Sequence, residues 1–120
     1  MSRNIKTPGL LAPPNADAYS ADNIALVLAQ EAVSVEADKV LTPQQRTFLY
    51  MPFMHSESLA IHDVALELFS QEGLEQAFEF EQRHQNVIER FGRYPHRNKV
   101  LGRESTQEEV AFLKNTPKGF

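Results

Sequence analysis

Leu74-Glu75-Gln76-Ala77-Phe78-Glu79-Phe80-Glu81-Gln82-Arg83-His84-Gln85-Asn86-Val87-Ile88-Glu89-Arg90-Phe91-Gly92 decides the fold class. Leu74, Ala77, Phe80, His84, Val87, Ile88 and Phe91 return at the helical period, so the spacing predicts a helix over 74–91 with one inward stripe. Gly92 follows as the residue suited to the left-handed backbone that ends it. Upstream, Gly73 separates this helix from one over 56–70, whose core face is Ile61, Val64, Ala65, Leu68 and Phe69. Ser56 is its expected N-cap. Thr42-Pro43-Gln44-Gln45 opens another helix, with Thr42 as cap, Pro43 at the first helical position and Gln45 completing a capping box. Pro52 is expected to end it near Met51.

Further out, Ile24, Leu28, Ala32 and Val35 line one side of a helix over 20–37, widened by Leu26, Val27 and Val33. Pro8, Gly9, Pro13 and Pro14 make residues 1–19 a loop or arm. Downstream, Pro95 starts a short turn or helix over 96–101, closed by Gly102. Ser105-Thr106-Gln107-Glu108-Glu109 carries two overlapping capping boxes ahead of a last helix to about Lys114, with Val110 and Leu113 inward. No segment alternates with a period of two between hairpin turns, which argues against a sheet. The expected architecture is all-α: about five antiparallel helices in a single domain over 20–120.

Composition narrows the function classes. The 120 residues are 42% hydrophobic and 23% charged, with no Cys and no Trp. That is an ordinary globular chain, without disulfides, thiol nucleophiles or thiolate zinc sites. The longest apolar run, Ile24 to Ala29, is far short of the roughly 20 residues that span a bilayer. Met1-Ser2-Arg3-Asn4-Ile5-Lys6 leads into prolines and not an apolar core, so no secretory leader and no membrane association are expected, and the cytoplasm is the expected location. The net charge of −4 hides a contrast. Between Arg83 and Arg103 six basic residues face Glu89 alone, a net +5, and the remainder carries −9. A bipolar chain repels phosphate backbones as a whole, so no nucleic-acid partner is expected.

Four features carry possible chemistry. His55 and Glu57 flank a helix start; they read either as an acid–base pair or as a packed His beside a helix-stabilising acid. His84 falls on the inward stripe, where a core histidine satisfied by a hydrogen bond is the plainer reading. His55, Glu57, His62, Asp63, His84 and His96 are possible metal ligands. However, His55 and His62 stand about 10 Å apart along a helix axis, and no His-Glu-x-x-His spacing exists. No metal and no cofactor are expected. Arg90-Phe91-Gly92-Arg93-Tyr94-Pro95-His96-Arg97-Asn98 either pairs internally with the acidic surplus or forms an anion pocket. In the pocket reading Arg93, Arg97 and Arg103 gather beside a helix start at Pro95. Neither a phosphate-cradling glycine loop nor a Gly-x-Ser-x-Gly elbow is present.

Phe48-Leu49-Tyr50-Met51-Pro52-Phe53-Met54-His55-Ser56-Glu57, the Arg90–Asn98 run, and Leu101-Gly102-Arg103-Glu104-Ser105-Thr106 followed by Glu108-Glu109 and Phe112-Leu113 occur in this order. Together they resemble the bacterial domain-of-unknown-function family 924. The resemblance covers about residues 20–120. It implies a tetratricopeptide-like helical fold and no established activity. It also implies that His55, Glu57, His84, Arg93, His96, Arg97, Asn98 and Arg103, which lie in or beside these motifs, act as one polar site. Ser2-Arg3-Asn4-Ile5 resembles the tail of a family motif similar to Gln-Phe-x-Arg-Asn-Ile, which implies that helices upstream of it are absent here. His62 stands where the resemblance leads one to expect Gln.

Bare of those helices, the apolar side of the 20–37 helix is expected to be covered by a second copy of the chain. The expected function is binding of an anionic ligand or peptide through the His/Glu/Arg cluster, without catalysis. The alternative is an enzyme of unknown reaction, with His55 or His84 as general base, Glu57 orienting it, and Arg93, Arg97 and Arg103 as an anion clamp.

Overall fold

The computed structural model describes residues 19–120. The arm expected over 1–19 therefore lies, apart from Tyr19, outside the described residues. Six α-helices are present among them: α1 (Ser20–Ser34), α2 (Pro43–Met54), α3 (Leu59–Phe69), α4 (Glu75–Phe91), α5 (Asn98–Leu101) and α6 (Gln107–Asn115). Single 3-10 turns at Ala37–Val40 and Pro95–Arg97 complete the set, and no strand occurs among the described residues. The chain is all-α, one helix more than expected. Successive helices pack on one another, α1 on α2, α2 on α3 and α3 on α4. No described helix is long and apolar enough to cross a membrane.

The caps explain the boundaries. Thr42 Oγ1 accepts from the Gln45 N–H at 3.1 Å while Gln45 Oε1 accepts from the Thr42 N–H at 3.0 Å, the reciprocal box expected for α2. At α6 the box falls on Thr106 and Glu109, and Ser105 instead accepts from Asn98. Gly92, at φ 72°, closes α4 as expected. Three boundaries differ from expectation. α1 stops at Ser34 and not at 37, because Glu36 adopts left-handed backbone at φ 60°. α3 starts after Ser58, whose Oγ accepts from the Ile61 N–H; Ser56 accepts from the Ser58 N–H one turn earlier. α2 runs through Pro52 to Met54, because Phe53 and Met54 beyond the proline are buried and their packing outweighs the lost backbone bond.

The main core joins Ala29, Tyr50, Phe53, Met54, Ala65, Phe69, Leu74 and Ala77, so all of α1–α4 contribute. Tyr50 meets the Phe69 ring edge-on at 5.7 Å, and its hydroxyl donates to the buried Asp38 and accepts from Gln71. A smaller core of Val87, Ile88 and Tyr94 takes in Phe91, Phe112 and Phe120. Helix faces are rotated slightly from the expected ones. On α3 the buried line is His62, Ala65 and Phe69, and Val64 is exposed. On α6 Glu109 is buried and Val110 is not. On α1, Leu26, Ala29 and Val33 face the core, leaving Ile24 and Leu28 each 65% exposed beside Val27 and Val35.

Candidate functional site

After Gly92 turns the chain, Tyr94 runs extended and Pro95 begins the 3-10 turn that leads into α5. This corner folds back onto the loop between α2 and α3, and Glu57 fastens it. The Glu57 carboxylate accepts two bonds from the Arg103 guanidinium, at 2.9 and 3.0 Å, and one from the Tyr94 N–H at 2.7 Å. Burial pushes this carboxyl up, but the Arg103 fork and the Tyr94 N–H outweigh it and hold the pKa below the usual value. Arg103 also donates to Asn98 Oδ1 at 2.9 Å and to the Tyr94 carbonyl at 3.1 Å. Asn98 passes the network on through Nδ2 to Ser105 and Glu109. Glu109 is buried and gripped by Arg93 through two bonds of 2.8 Å, which together with the Thr106 N–H draw its pKa down to about 2 against the opposing effect of burial.

Glu57, Asn98 and Arg103 are thus joined in one network, Arg93 is taken up by Glu109 and the Glu104 carbonyl, and Pro95 does not open a helix start ringed by three arginines. Glu57 makes no bond to His55 among its hydrogen bonds and is held by Arg103 and the Tyr94 N–H, so of the two readings of this pair the acid–base one has no hydrogen bond behind it.

The other four expected residues, His55, His84, His96 and Arg97, line a cavity of about 380 Å³ together with Tyr19, Asp22 and Tyr94. That volume is in the range of small-molecule pockets. Arg97 is 9% exposed and sits with its guanidinium 4.4 Å from the Tyr19 ring centre and 4.8 Å from that of Tyr94. Nη2 donates to the His55 carbonyl at 2.8 Å, Asp22 lies 3.8 Å away, and the buried Nε has no partner among the described residues. A smaller cavity of about 190 Å³ shares Tyr19, Asp22, His55 and Arg97.

His84 is half-buried and donates through Nδ1 to the Phe80 carbonyl at 2.7 Å. Burial drives its pKa down to about 4, the carbonyl bond opposes this, and the neighbouring imidazoles add to it. Burial lowers His55 as well, with Asp22 opposing and Arg97 adding to it, and lowers His96, where Arg97 adds and Glu57 opposes. All three rings are therefore neutral near pH 7, around a buried cation. Phe120 covers this region, 5.0 Å from the His84 ring, 5.3 Å from His96 and stacked on Tyr94 at 5.6 Å.

Behind the cavity wall lies a pair outside the eight expected residues. His62 and Glu81, both fully buried, meet through Nδ1 and Oε2 at 2.5 Å. His62 Nε2 faces the Ser56 carbonyl at 2.6 Å, so it carries a hydrogen and donates. The Tyr94 hydroxyl, 2.9 Å from the same nitrogen, donates to the Met54 carbonyl. The contact between Nδ1 and Oε2 then holds one proton. Burial raises the Glu81 carboxyl despite His62, and Glu81 Oε1 is left without a partner, which is cheaper for a protonated acid than for a carboxylate. Glu81 carried one readable signal: with Ala77, His84 and Ile88 it falls at i, i+4, i+7 and i+11 on the inward stripe. His62, Tyr19 and Asp22 carried none, because their partners are remote in sequence, and Glu109 was legible only as the cap partner of Thr106. Among the described residues no cluster of three or more His, Cys, Asp or Glu is placed to hold a metal ion.

The profile of the bacterial family described as "Bacterial protein of unknown function (DUF924)" matches residues 13–117. The chain belongs to this family. It is also similar to a solved structure of a protein of unknown function from Agrobacterium tumefaciens, with 35% identity and a TM-score of 0.72. That match covers 81% of this chain and 55% of the other, so the chain spans little more than half the length of that relative. No curated protein matches it. The solved structure shares the fold, and neither its description nor that of the family states an activity.

Proposed function

We propose that this DUF924 chain binds a small anion, free or as the carboxylate of a peptide, in the cavity at Arg97, without chemistry of its own. The carrying observation is Arg97 itself: a buried guanidinium between two tyrosine rings, with a partnerless Nε and a single acidic side chain, 3.8 Å off, in ion-pair range. Glu57, the other acid nearby, is taken up by Arg103. An anion entering beside Arg97 meets a buried charge whose one acidic partner, the partly exposed Asp22, stands at the long limit of an ion pair. His55 and His96 can each offer one N–H there without adding positive charge, whereas the single N–H of neutral His84 is committed to the Phe80 carbonyl. A catalytic reading is disfavoured by His84. A base with a pKa of about 4 is poorly matched to proton abstraction near neutrality.

The test is titration of the chain with acetate and with inorganic phosphate, followed by the imidazole proton resonances. Saturable shifts at His55, His84 and His96 are expected, with binding at least tenfold weaker in Arg97→Gln. His96→Asn, at an exposed ring, is expected to weaken binding without unfolding the chain. Unshifted imidazoles, or unchanged binding in both variants, overturn the reading.

We also propose that the tetratricopeptide-like helix pairs associate through the outward face of α1. Ile24, Val27, Leu28 and Val35 expose a contiguous apolar strip of the kind that a second copy covers isologously. Light scattering after size exclusion is expected to give a dimer, and Leu28→Glu a monomer. A wild-type monomer that binds no hydrophobic dye overturns this.

A further inference from the structure

A second cavity, of about 420 Å³, shares His55 and His84 with the Arg97 cavity, so the two adjoin at these rings. Its character is different. The floor is Met54, Leu74 and Ala77, all buried, and the rim includes Met51 and the half-exposed Phe80. No Asp, Glu, Lys or Arg lines it. One end of the combined space therefore holds a buried cation with Asp22 beside it and the other is uncharged and largely apolar, with two neutral imidazoles between them.

Resting on the anion-binding reading above, we infer that the ligand is an aliphatic monocarboxylate, with its carboxylate at Arg97 and its hydrocarbon tail in the Met51–Phe80 groove. The charge argument selects one negative charge. One guanidinium, already facing Asp22 at 3.8 Å, can meet at most one further negative charge, whereas a phosphate dianion leaves a charge unpaired in a half-buried site. The planar carboxylate also matches the guanidinium fork. The apolar groove selects the tail, because methylenes leaving water contribute in proportion to the surface they bury. Met51 and Met54 add unbranched, adaptable side chains that fit a flexible alkyl chain.

The experiment compares acetate, butanoate, octanoate and octanol on the intact chain, by calorimetry and by the imidazole resonances. Each methylene that enters the groove is expected to tighten binding about fourfold. Octanoate should thus bind on the order of a hundredfold tighter than butanoate. Phe80→Ala, at the rim, is expected to weaken octanoate several-fold and leave acetate unchanged, while Arg97→Gln weakens both. If acetate binds at Arg97 but octanoate binds no tighter, the tail assignment is overturned and the anion reading stands. If octanol binds as well as octanoate, and Arg97→Gln changes neither, both fall. If no carboxylate in the series binds, both fall as well.

Discussion

Acidification from pH 7 to pH 5 should destabilise this protein through His84. In the fold, burial keeps its ring neutral down to about pH 4, whereas the unfolded chain takes up the proton near its ordinary value of 6.5. Between those values the unfolded state binds more protons, so stability falls as pH falls. The loss from this one ring is about 2 kcal/mol at pH 5 and about 3 kcal/mol once the pH is below 4. His55 and His96 act in the same direction. Glu57 and Glu109 also lose stability on acidification, at lower pH, and Glu81 opposes them. Comparison with His84→Gln removes these shared contributions. Urea unfolding at pH 7, 6 and 5 should show the variant losing about 2 kcal/mol less than the wild type over that interval. Equal losses in the two proteins, or a His84 resonance titrating at 6.5 or above, would refute the burial argument.

Three further perturbations test the buried network. Glu109→Gln should cost about 2–3 kcal/mol at pH 7 by breaking the Arg93 fork, and the gap should close as pH falls from 4.5 toward 2, where the native carboxyl itself protonates. His62→Leu and Glu81→Leu should each cost about 1–3 kcal/mol in chemical denaturation, and the double variant clearly less than their sum, because each single change strands a buried polar partner. Gly92→Ala should cost about 1 kcal/mol in the same assay, through backbone strain at φ 72° alone, since the added methyl meets open space.

Features written in adjacent residues were legible in the sequence. The Thr42–Gln45 and Thr106–Glu109 boxes and the Gly92 stop depend on three or four consecutive positions, and they set the order of the helices. Rotation of the faces was less legible, because both Val64 and His62 fit a helical period and only packing against α4 decides that His62 turns inward. Of the eight expected site residues, the structure gathers His55, His84, His96 and Arg97 at one cavity, joins Glu57, Asn98 and Arg103 to each other, and spends Arg93 on Glu109. That division was not readable from spacing. Each Arg was equally able to meet a ligand or an acid, and the deciding partners lie 16 residues away for Arg93 and 46 for Arg103. Buried acids such as Asp38 and Glu81 look like solvated charge until the tyrosine or histidine that meets them is placed.

Tyr94 is where the separate parts of the molecule become one mechanical joint. Its ring is a wall of the cavity, its N–H holds Glu57, its carbonyl receives Arg103, and its hydroxyl reaches Met54 and the His62–Glu81 pair. Removing the whole side chain would strip the cavity wall and the hydroxyl contacts at once and report on neither. Tyr94→Phe removes only the hydroxyl, and so separates what the cavity senses from what the core holds. By reciprocity, if a ligand pressing on that ring changes how tightly the buried pair keeps its proton, then protonation of the pair must change ligand affinity by the same factor. A single oxygen atom gives experimental control over whether the two are coupled.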